Sequence, residues 1–160
     1  AEMMSEGWLK TGDLGTLDQK GRLKIVGRKR EIIKTAEGKM ISPLFIEGRI
    51  TECPLIDQAM VIGNERPFLI ALVTISSENE LLEHDVRKQV QAHFDKINNE
   101  LAHHERVRRF RILPTAFTIE REELTATLKM KRRSIEANYR DLIETAYKTT
   151  RARKKDFFTH

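Results

Sequence analysis

The stretch Gln58-Ala59-Met60-Val61-Ile62-Gly63-Asn64-Glu65-Arg66-Pro67-Phe68-Leu69-Ile70-Ala71-Leu72-Val73-Thr74-Ile75-Ser76 decides the fold. Its ends read as two strands, 58–63 and 68–76. Between them, Asn64-Glu65-Arg66-Pro67 carries the residue types of a hairpin loop. The second strand is apolar on both faces, which predicts a central place in a sheet.

Upstream, residues 8–26 read as a hairpin. Asp18-Gln19-Lys20-Gly21 is the turn signal between Leu14-Gly15-Thr16-Leu17 and Leu23-Lys24-Ile25-Val26. A smaller hairpin is predicted from 31–35 and 39–42, turning at Ala36-Glu37-Gly38. Ser42 and Pro43 then open a helix as cap and first-turn residue. It carries Phe45, Ile46, Ile50 and Cys53, and Pro54 stops it. Downstream, Ser76 or Ser77 is the predicted cap of a long helix with Glu78 and Glu80 in its first turn. Leu82, Val86, Val90, Phe94, Ile97 and Leu101 form its apolar stripe. Residues 109–113 and 116–119 read as extended, broken by Pro114. A last helix over 134–148 presents Ile135, Tyr139, Leu142, Ile143 and Ala146. The tail beyond Thr149 is basic and polar until Phe157-Phe158, a composition that predicts disorder. There is no internal repeat. Interspersed strands and helices with local hairpins predict an α+β fold, a small mixed sheet flanked by helices.

Composition narrows the classes. The 160 residues suit one domain with an appendage, and 39% hydrophobic content is enough for a core. No apolar run has transmembrane length. The acidic start Ala1-Glu2-Met3-Met4-Ser5-Glu6 is no signal peptide and reads as the middle of a longer protein. Cys53 is the single cysteine, which excludes an intrachain disulfide and fits a reducing cytoplasm. It reads as a small buried residue at a helix end. His103 and His104 are adjacent, so on a helix they diverge by about 100° and chelate poorly. No metal-ligating set is expected. The net charge of +5 is concentrated in Arg28-Lys29-Arg30, in the run from Arg106 to Arg111, in Lys129-Met130-Lys131-Arg132-Arg133 and in the tail. Such clusters attract phosphates of any kind.

Three short motifs carry chemistry. In Gly7-Trp8-Leu9-Lys10-Thr11-Gly12-Asp13, Gly12 permits an unusual backbone turn. The Asp13 carboxylate has the oxygen spacing to bridge two vicinal ribose hydroxyls; a plain turn aspartate is the alternative. In Gly27-Arg28-Lys29-Arg30-Glu31-Ile32-Ile33-Lys34, the Arg28 guanidinium donates in a fixed fork; a solvated basic residue is the alternative. In Leu124-Thr125-Ala126-Thr127-Leu128-Lys129-Met130-Lys131-Arg132, a lysine sits in a Thr-rich loop ahead of a basic helix. A mobile ammonium there can stabilise charge gathering on a phosphate; the alternative is a basic run before a helix.

In this order the motifs resemble the carboxyl-terminal part of acyl-adenylate-forming, AMP-dependent synthetases, most closely the long-chain fatty acid–CoA ligases. The resemblance covers almost the whole chain. It implies a larger amino-terminal part, holding most of the ATP site and the acid pocket, of which residues 1–29 would be the end. Residues 30–150 would be the mobile lid domain, and 151–160 a basic tail. By the same resemblance Asp13 and Arg28 would hold the nucleotide ribose, and Lys129 would carry adenylation. Arg30 stands at the hinge position, where the family commonly has aspartate or lysine. Gly38 would let the pantetheine arm of CoA pass closely, although Glu37-Gly38 also reads as a simple turn. Lys34 and Lys39 flank that loop and would meet CoA phosphates. The family's glycine before the lysine is Leu128 here, which fits the long-chain branch, and its frequent proline is Ala126.

The implied reaction uses fatty acid, ATP with Mg2+, and CoA, with no covalent enzyme nucleophile. This chain alone is expected to be inactive. A nucleic-acid module is the competing reading, resting on the basic runs from 106 to 111 and from 129 to 133. It is disfavoured because aromatics are only 6% and form no stacking series. Membrane binding through the last helix is disfavoured by Glu136, Asp141 and Glu144 on its polar side. A cytoplasmic enzyme with weak peripheral contact at the inner membrane face stays compatible with the sequence.

Overall fold

The structure is a computed structural model and describes residues 4–5, 8–9, 11–76 and 81–148. At the amino-terminal end β1 (Met4–Ser5) pairs antiparallel with β2 (Trp8–Leu9). Next, β3 (Asp13–Leu17) pairs antiparallel with β4 (Leu23–Arg28). The sequence reading joined 8–26 in one hairpin, and the structure divides it in two. The predicted turn is present: Asp18 Oδ1 accepts the Lys20 and Arg22 amides at 2.8 and 2.9 Å. Those backbone bonds, that of Arg22 first, hold the Asp18 carboxyl below its ordinary value.

A single 3-10 turn, Lys29–Glu31, leads to β5 (Ile33–Lys34), which pairs with β6 (Met40–Ile41). This hairpin is shorter than expected because Glu31 belongs to the preceding turn. Helix α1 (Pro43–Ile50) starts as predicted with proline in its first turn, but the Ser42 hydroxyl makes no cap bond. It stops at Ile50, so Cys53 lies beyond it, buried in the following turn. Pro43, Ile46, Glu47 and Ile50 are buried. At 100° per residue these share one face, which turns Phe45 outward, 43% exposed.

The deciding hairpin is β7 (Ile56–Ile62) against β8 (Leu69–Ile75), antiparallel. Helix α2 (Glu83–Glu100) follows, and β9 (Val107–Leu113) completes a small mixed sheet in the order β7-β8-β9. The central position of β8 is as predicted. Alternate residues Ala59 and Val61, and Leu69, Ala71 and Val73, join Ile46 and Ile50 of α1 and Val86, Val90, Phe94 and Ile97 of α2 in one core. Glu47 is buried at the edge of β7, where its Oε1 accepts the Val61 amide at 2.7 Å and satisfies it.

The start of α2 differs from expectation. Ser76 spends its amide on Leu55 O at 3.0 Å, prolonging the sheet rather than capping a helix. Leu82 is the extended residue before the helix and is exposed, and Glu83 and Asp85 fill the acidic first turn. Ser77, Glu78 and Glu80 lie outside the described residues. Strand β9 begins two residues early because Asn98 mimics a strand. Its Oδ1 accepts the Val107 amide at 2.9 Å, and its Nδ2 donates to Val107 O at 3.0 Å. Phe110 stacks on Phe94 with ring centroids 4.6 Å apart.

Residues 116–119 form no strand. The amides of Glu123 and Leu124 both donate to Thr118 O, and Glu122 N donates to Ile119 O, so this backbone closes on itself. The last helical stretch is two helices, α3 (Arg132–Asn138) and α4 (Arg140–Lys148). Tyr139 leaves helical geometry at φ −107°, ψ 20°, with its ring edge-on to Phe117 at 6.1 Å. The tail expectation for 151–160 falls outside the described residues. The chain packs as two units, Ala1–Ile112 and Leu113–His160.

Candidate functional site

In the first unit, Asp13 and Arg28 stand directly opposite each other in the β3–β4 register. Antiparallel partners project to the same face. Arg28 Nε lies 3.3 Å from Asp13 Oδ1, with side chains 59% and 31% exposed. Gly12 takes φ +77°, a left-handed conformation that a side chain resists. Its carbonyl accepts the Lys29 amide at 2.8 Å, so the strand ends are tied just beside the pair. An exposed pair of this kind contributes only about 0–1 kcal/mol. A pair this weak is broken at small cost.

Arg30 is exposed in the middle of the 3-10 turn, with extended residues Arg28 and Ile32 on either side. Gly38 takes φ +78° in the β5–β6 turn, and a side chain added there would meet open space. The turn is closed on Thr35, which accepts Gly38 N at 2.8 Å and donates its own amide to Lys39 O at 2.9 Å. Lys34 and Lys39 are exposed beside it. No local sequence pattern marks the meeting of this turn with the loop after β7. Glu65 N donates to Lys34 O at 2.7 Å, Ala36 N donates to Arg66 O at 3.0 Å, and Lys34 N donates to Asn64 Oδ1 at 3.2 Å.

Lys129 belongs to the second unit and is exposed. Its loop is a tight turn closed three ways by Thr125. The Thr125 amide donates to Lys129 O at 2.8 Å, its carbonyl accepts Leu128 N at 2.9 Å, and its Oγ1 accepts Lys129 N at 3.0 Å. The Thr127 hydroxyl meets that of Thr125 at 3.1 Å. Just outside, Leu124 and Met130 form an antiparallel bridge. Leu128 holds φ +58°, the conformation in which a glycine would be unstrained.

Beneath the loop lies a polar network that sequence reasoning missed. The Glu123 carboxylate is fully buried. It accepts Arg121 Nε at 3.0 Å, the Thr118 amide at 3.1 Å and Asn138 Nδ2 at 3.3 Å, and pairs with Arg121 Nη2 at 2.9 Å. Arg121 also donates to Ala116 O, and Asn138 to Arg121 O. Burial pushes the Glu123 carboxyl up, but the bonds from Arg121, the Thr118 amide and Asn138 outweigh it, leaving it below the ordinary value. Arg121 is raised by its bond to Glu123. Tyr139 is raised by burial and by the nearby Glu123 charge. Arg121, Glu123, Asn138 and Tyr139 line one open pocket.

Thus Asp13 and Arg28 come together, Gly38 and Lys39 share one turn, and Arg30 links the two hairpins. Comparison with known proteins gives these positions their frame. Residues 30–151 match the family model described as AMP-binding enzyme C-terminal domain. The chain belongs to this family. It is 38% identical to the long-chain-fatty-acid–CoA ligase FadD15 of Mycobacterium tuberculosis, over 91% of this chain and 27% of that protein. It is 32% identical to the long-chain-fatty-acid–CoA ligase ACSBG1 of Rattus norvegicus, over 89% of this chain and 25% of the relative. Among solved structures it resembles the adenylation domain of a carboxylate reductase from Mycobacterium chelonae. The TM-score is 0.78 at 27% identity, covering 91% of this chain and 24% of that one. It also resembles the A domain of the carboxylic acid reductase from Segniliparus rugosus, solved with AMP and a co-purified carboxylic acid (TM-score 0.74, 25% identity, 93% and 25% covered). The chain therefore spans about a quarter of the length of the curated relatives it matches. Family membership and the small mixed sheet agree with the resemblance and fold read from the sequence.

Proposed function

We propose that this chain is the carboxyl-terminal part of a long-chain fatty acid–CoA ligase, with residues 30–150 acting as its mobile lid. The likeness to long-chain ligases across nearly the whole chain carries this reading. In the first step, a carboxylate oxygen of the fatty acid attacks the α-phosphorus of ATP, and pyrophosphate leaves. In the second, the CoA sulfur attacks the acyl carbonyl carbon, the thiol proton is lost, and AMP leaves.

Each candidate residue has a role matched to its chemistry. The Asp13 carboxylate accepts from the ribose hydroxyls, and the Arg28 guanidinium donates to the ribose oxygens. The weakness of their mutual pair supports such an exchange. The Lys129 ammonium, on an exposed and tightly closed loop, meets the charge that develops on the α-phosphate. Arg30, solvated between two extended residues, suits a hinge that must change dihedral angles without losing buried contacts. Gly38, with open space where a side chain would stand, suits passage of the pantetheine arm, and Lys34 and Lys39 suit its phosphates. Mg2+ would accompany ATP. Among the described residues no three His, Cys, Asp or Glu side chains converge on a metal position. No described helix is long and apolar enough to cross a membrane.

The test is Lys129→Ala in the full-length protein that carries this chain. Adenylation, followed by pyrophosphate exchange, is expected to fall about 10²–10³-fold. Acyl-CoA formation from supplied acyl-AMP should persist. Unchanged adenylation would refute the assignment, and robust ligase turnover by the isolated chain would refute the division of labour.

A further inference from the structure

Lys129 rides on a flexible four-carbon stem. Its ammonium acts on a phosphate only if its backbone is held in place, since a misplacement of about 1 Å can cost a factor of roughly 10². Thr125 sets the shape of the loop by closing it from within. Something else must fix that closed loop to the body of the second unit. Glu123 bonds to both stems and to the chain around them, alongside the Leu124 amide on Thr118 O. Its amide donates to Thr118 O at 3.0 Å, and its carbonyl accepts the Lys131 amide at 2.7 Å. These bonds hold the two stems of the loop, one residue outside the Leu124–Met130 bridge. Its carboxylate binds the Thr118 amide, the Arg121 guanidinium, and Asn138 at the carboxyl end of α3. The turn before the loop and the helix after it therefore meet on one side chain.

A buried carboxylate is costly unless it is paired and hydrogen-bonded, and an apolar residue of similar volume often serves stability as well. An apolar side chain would not tie the 118–121 turn to the end of α3. We propose that Glu123 is the positioning residue for the Lys129 loop, clamping both of its stems to the 118–121 turn and to the end of α3. This inference rests on the adenylation role of Lys129 given above.

The experiment has two arms. In this chain, Glu123→Gln keeps the size of the side chain and removes its charge. Hydrogen exchange at the Lys131, Lys129 and Thr125 amides should quicken about tenfold or more, while exchange in β8 stays unchanged. In the full-length protein, Glu123→Gln should lower kcat for adenylation about tenfold with little change in the KM for ATP. Thioester formation from supplied acyl-AMP should be retained. Asn138→Ala removes one donor from the helix end and should reproduce the pattern at about a third of the size or less. It decides the matter if Glu123→Gln does not fold.

Unchanged loop exchange overturns the clamp, as does an equal loss in both half-reactions, the mark of general unfolding. If Lys129→Ala collapses adenylation while the clamp variants do not slow it, the positioning role fails and the adenylation reading stands. If Lys129→Ala leaves adenylation intact, the adenylation reading itself has failed, and the positioning role falls with it.

Discussion

At the scale of single residues, Leu128 is the clearest case of local geometry set against local preference. Its φ of +58° is a left-handed conformation that costs an L-residue about 1–2 kcal/mol. Glycine relieves that strain, at an unfolded-state entropy cost of about 0.5–1 kcal/mol. Leu128 is 69% exposed, so little apolar burial is lost. Leu128→Gly is therefore expected to be neutral or to stabilise the second unit by about 1 kcal/mol, read from its thermal midpoint. Leu128→Val, β-branched, should destabilise it. The sequence marks Lys129 through the Thr-rich run before it, but it does not mark Glu123. Glu120-Arg121-Glu122-Glu123 offers three carboxylates in four positions, and neither helical nor strand periodicity selects among them. The structure exposes Glu120 and Glu122 and buries Glu123, because Glu122 turns left-handed at φ +57° and reverses the next side chain.

At the scale of elements, the β7–β8 hairpin is readable because the apolar strands and the loop residues agree in their signals. Where backbone groups find partners far away in sequence, the reading fails. Ser76 looks like a helix cap, yet its amide belongs to Leu55; Asn98 lies in the last turn of α2, yet its amide group starts β9. Residues 134–148 read as one helix because Tyr139 keeps the apolar period. The break there coincides with the contacts of Asn138 on Arg121 and Glu123 and of Tyr139 on Phe117, which no local pattern encodes. Gly63 is another such position. It ends the first strand of the hairpin, where a turn glycine is unremarkable, but an added Cβ would stand 2.3 Å from Leu69 Cδ2. Leu69 is fully buried in the core, so its side chain has no room to yield. Gly63→Ala is accordingly expected to destabilise the first unit by about 1–3 kcal/mol. The denaturation midpoint should drop with little change in the denaturant slope, as befits a local clash in the native state.

At the scale of the whole molecule, the two packing units follow the cores rather than the motifs. One core gathers Ile33 through Val107, while Leu113, Phe117, Leu124, Ile135, Ile143 and Ala146 are the buried apolar residues of the other. The sequence carried no signal for a division at 112/113, because β9 runs across it without a Gly- or Ser-rich linker. The second unit nevertheless has a spectroscopic handle of its own, since both tyrosines, Tyr139 and Tyr147, lie in it. The exposed Glu120 is also held below its ordinary value, but the acid-side pH dependence of this unit should be dominated by the buried Glu123. That carboxyl holds its proton less tightly when folded than when unfolded. Its contribution to stability is therefore fully present above the ordinary glutamate value of about 4.3 and fades as pH falls through the lower folded value. The facing groups do not blur this window: Arg121 stays charged throughout, and Tyr139 titrates above the ordinary phenol value. Tyrosine near-ultraviolet circular dichroism should show wild-type stability against urea declining from about pH 5 downward. Glu123→Gln should be less stable by about 1–3 kcal/mol at neutral pH, where a charged acceptor has been lost. Its stability should also be flatter across the acid range, so that the two curves converge as the wild-type carboxyl takes up its proton. Parallel curves would mean that the Glu123 charge is not what holds the loop turn to α3.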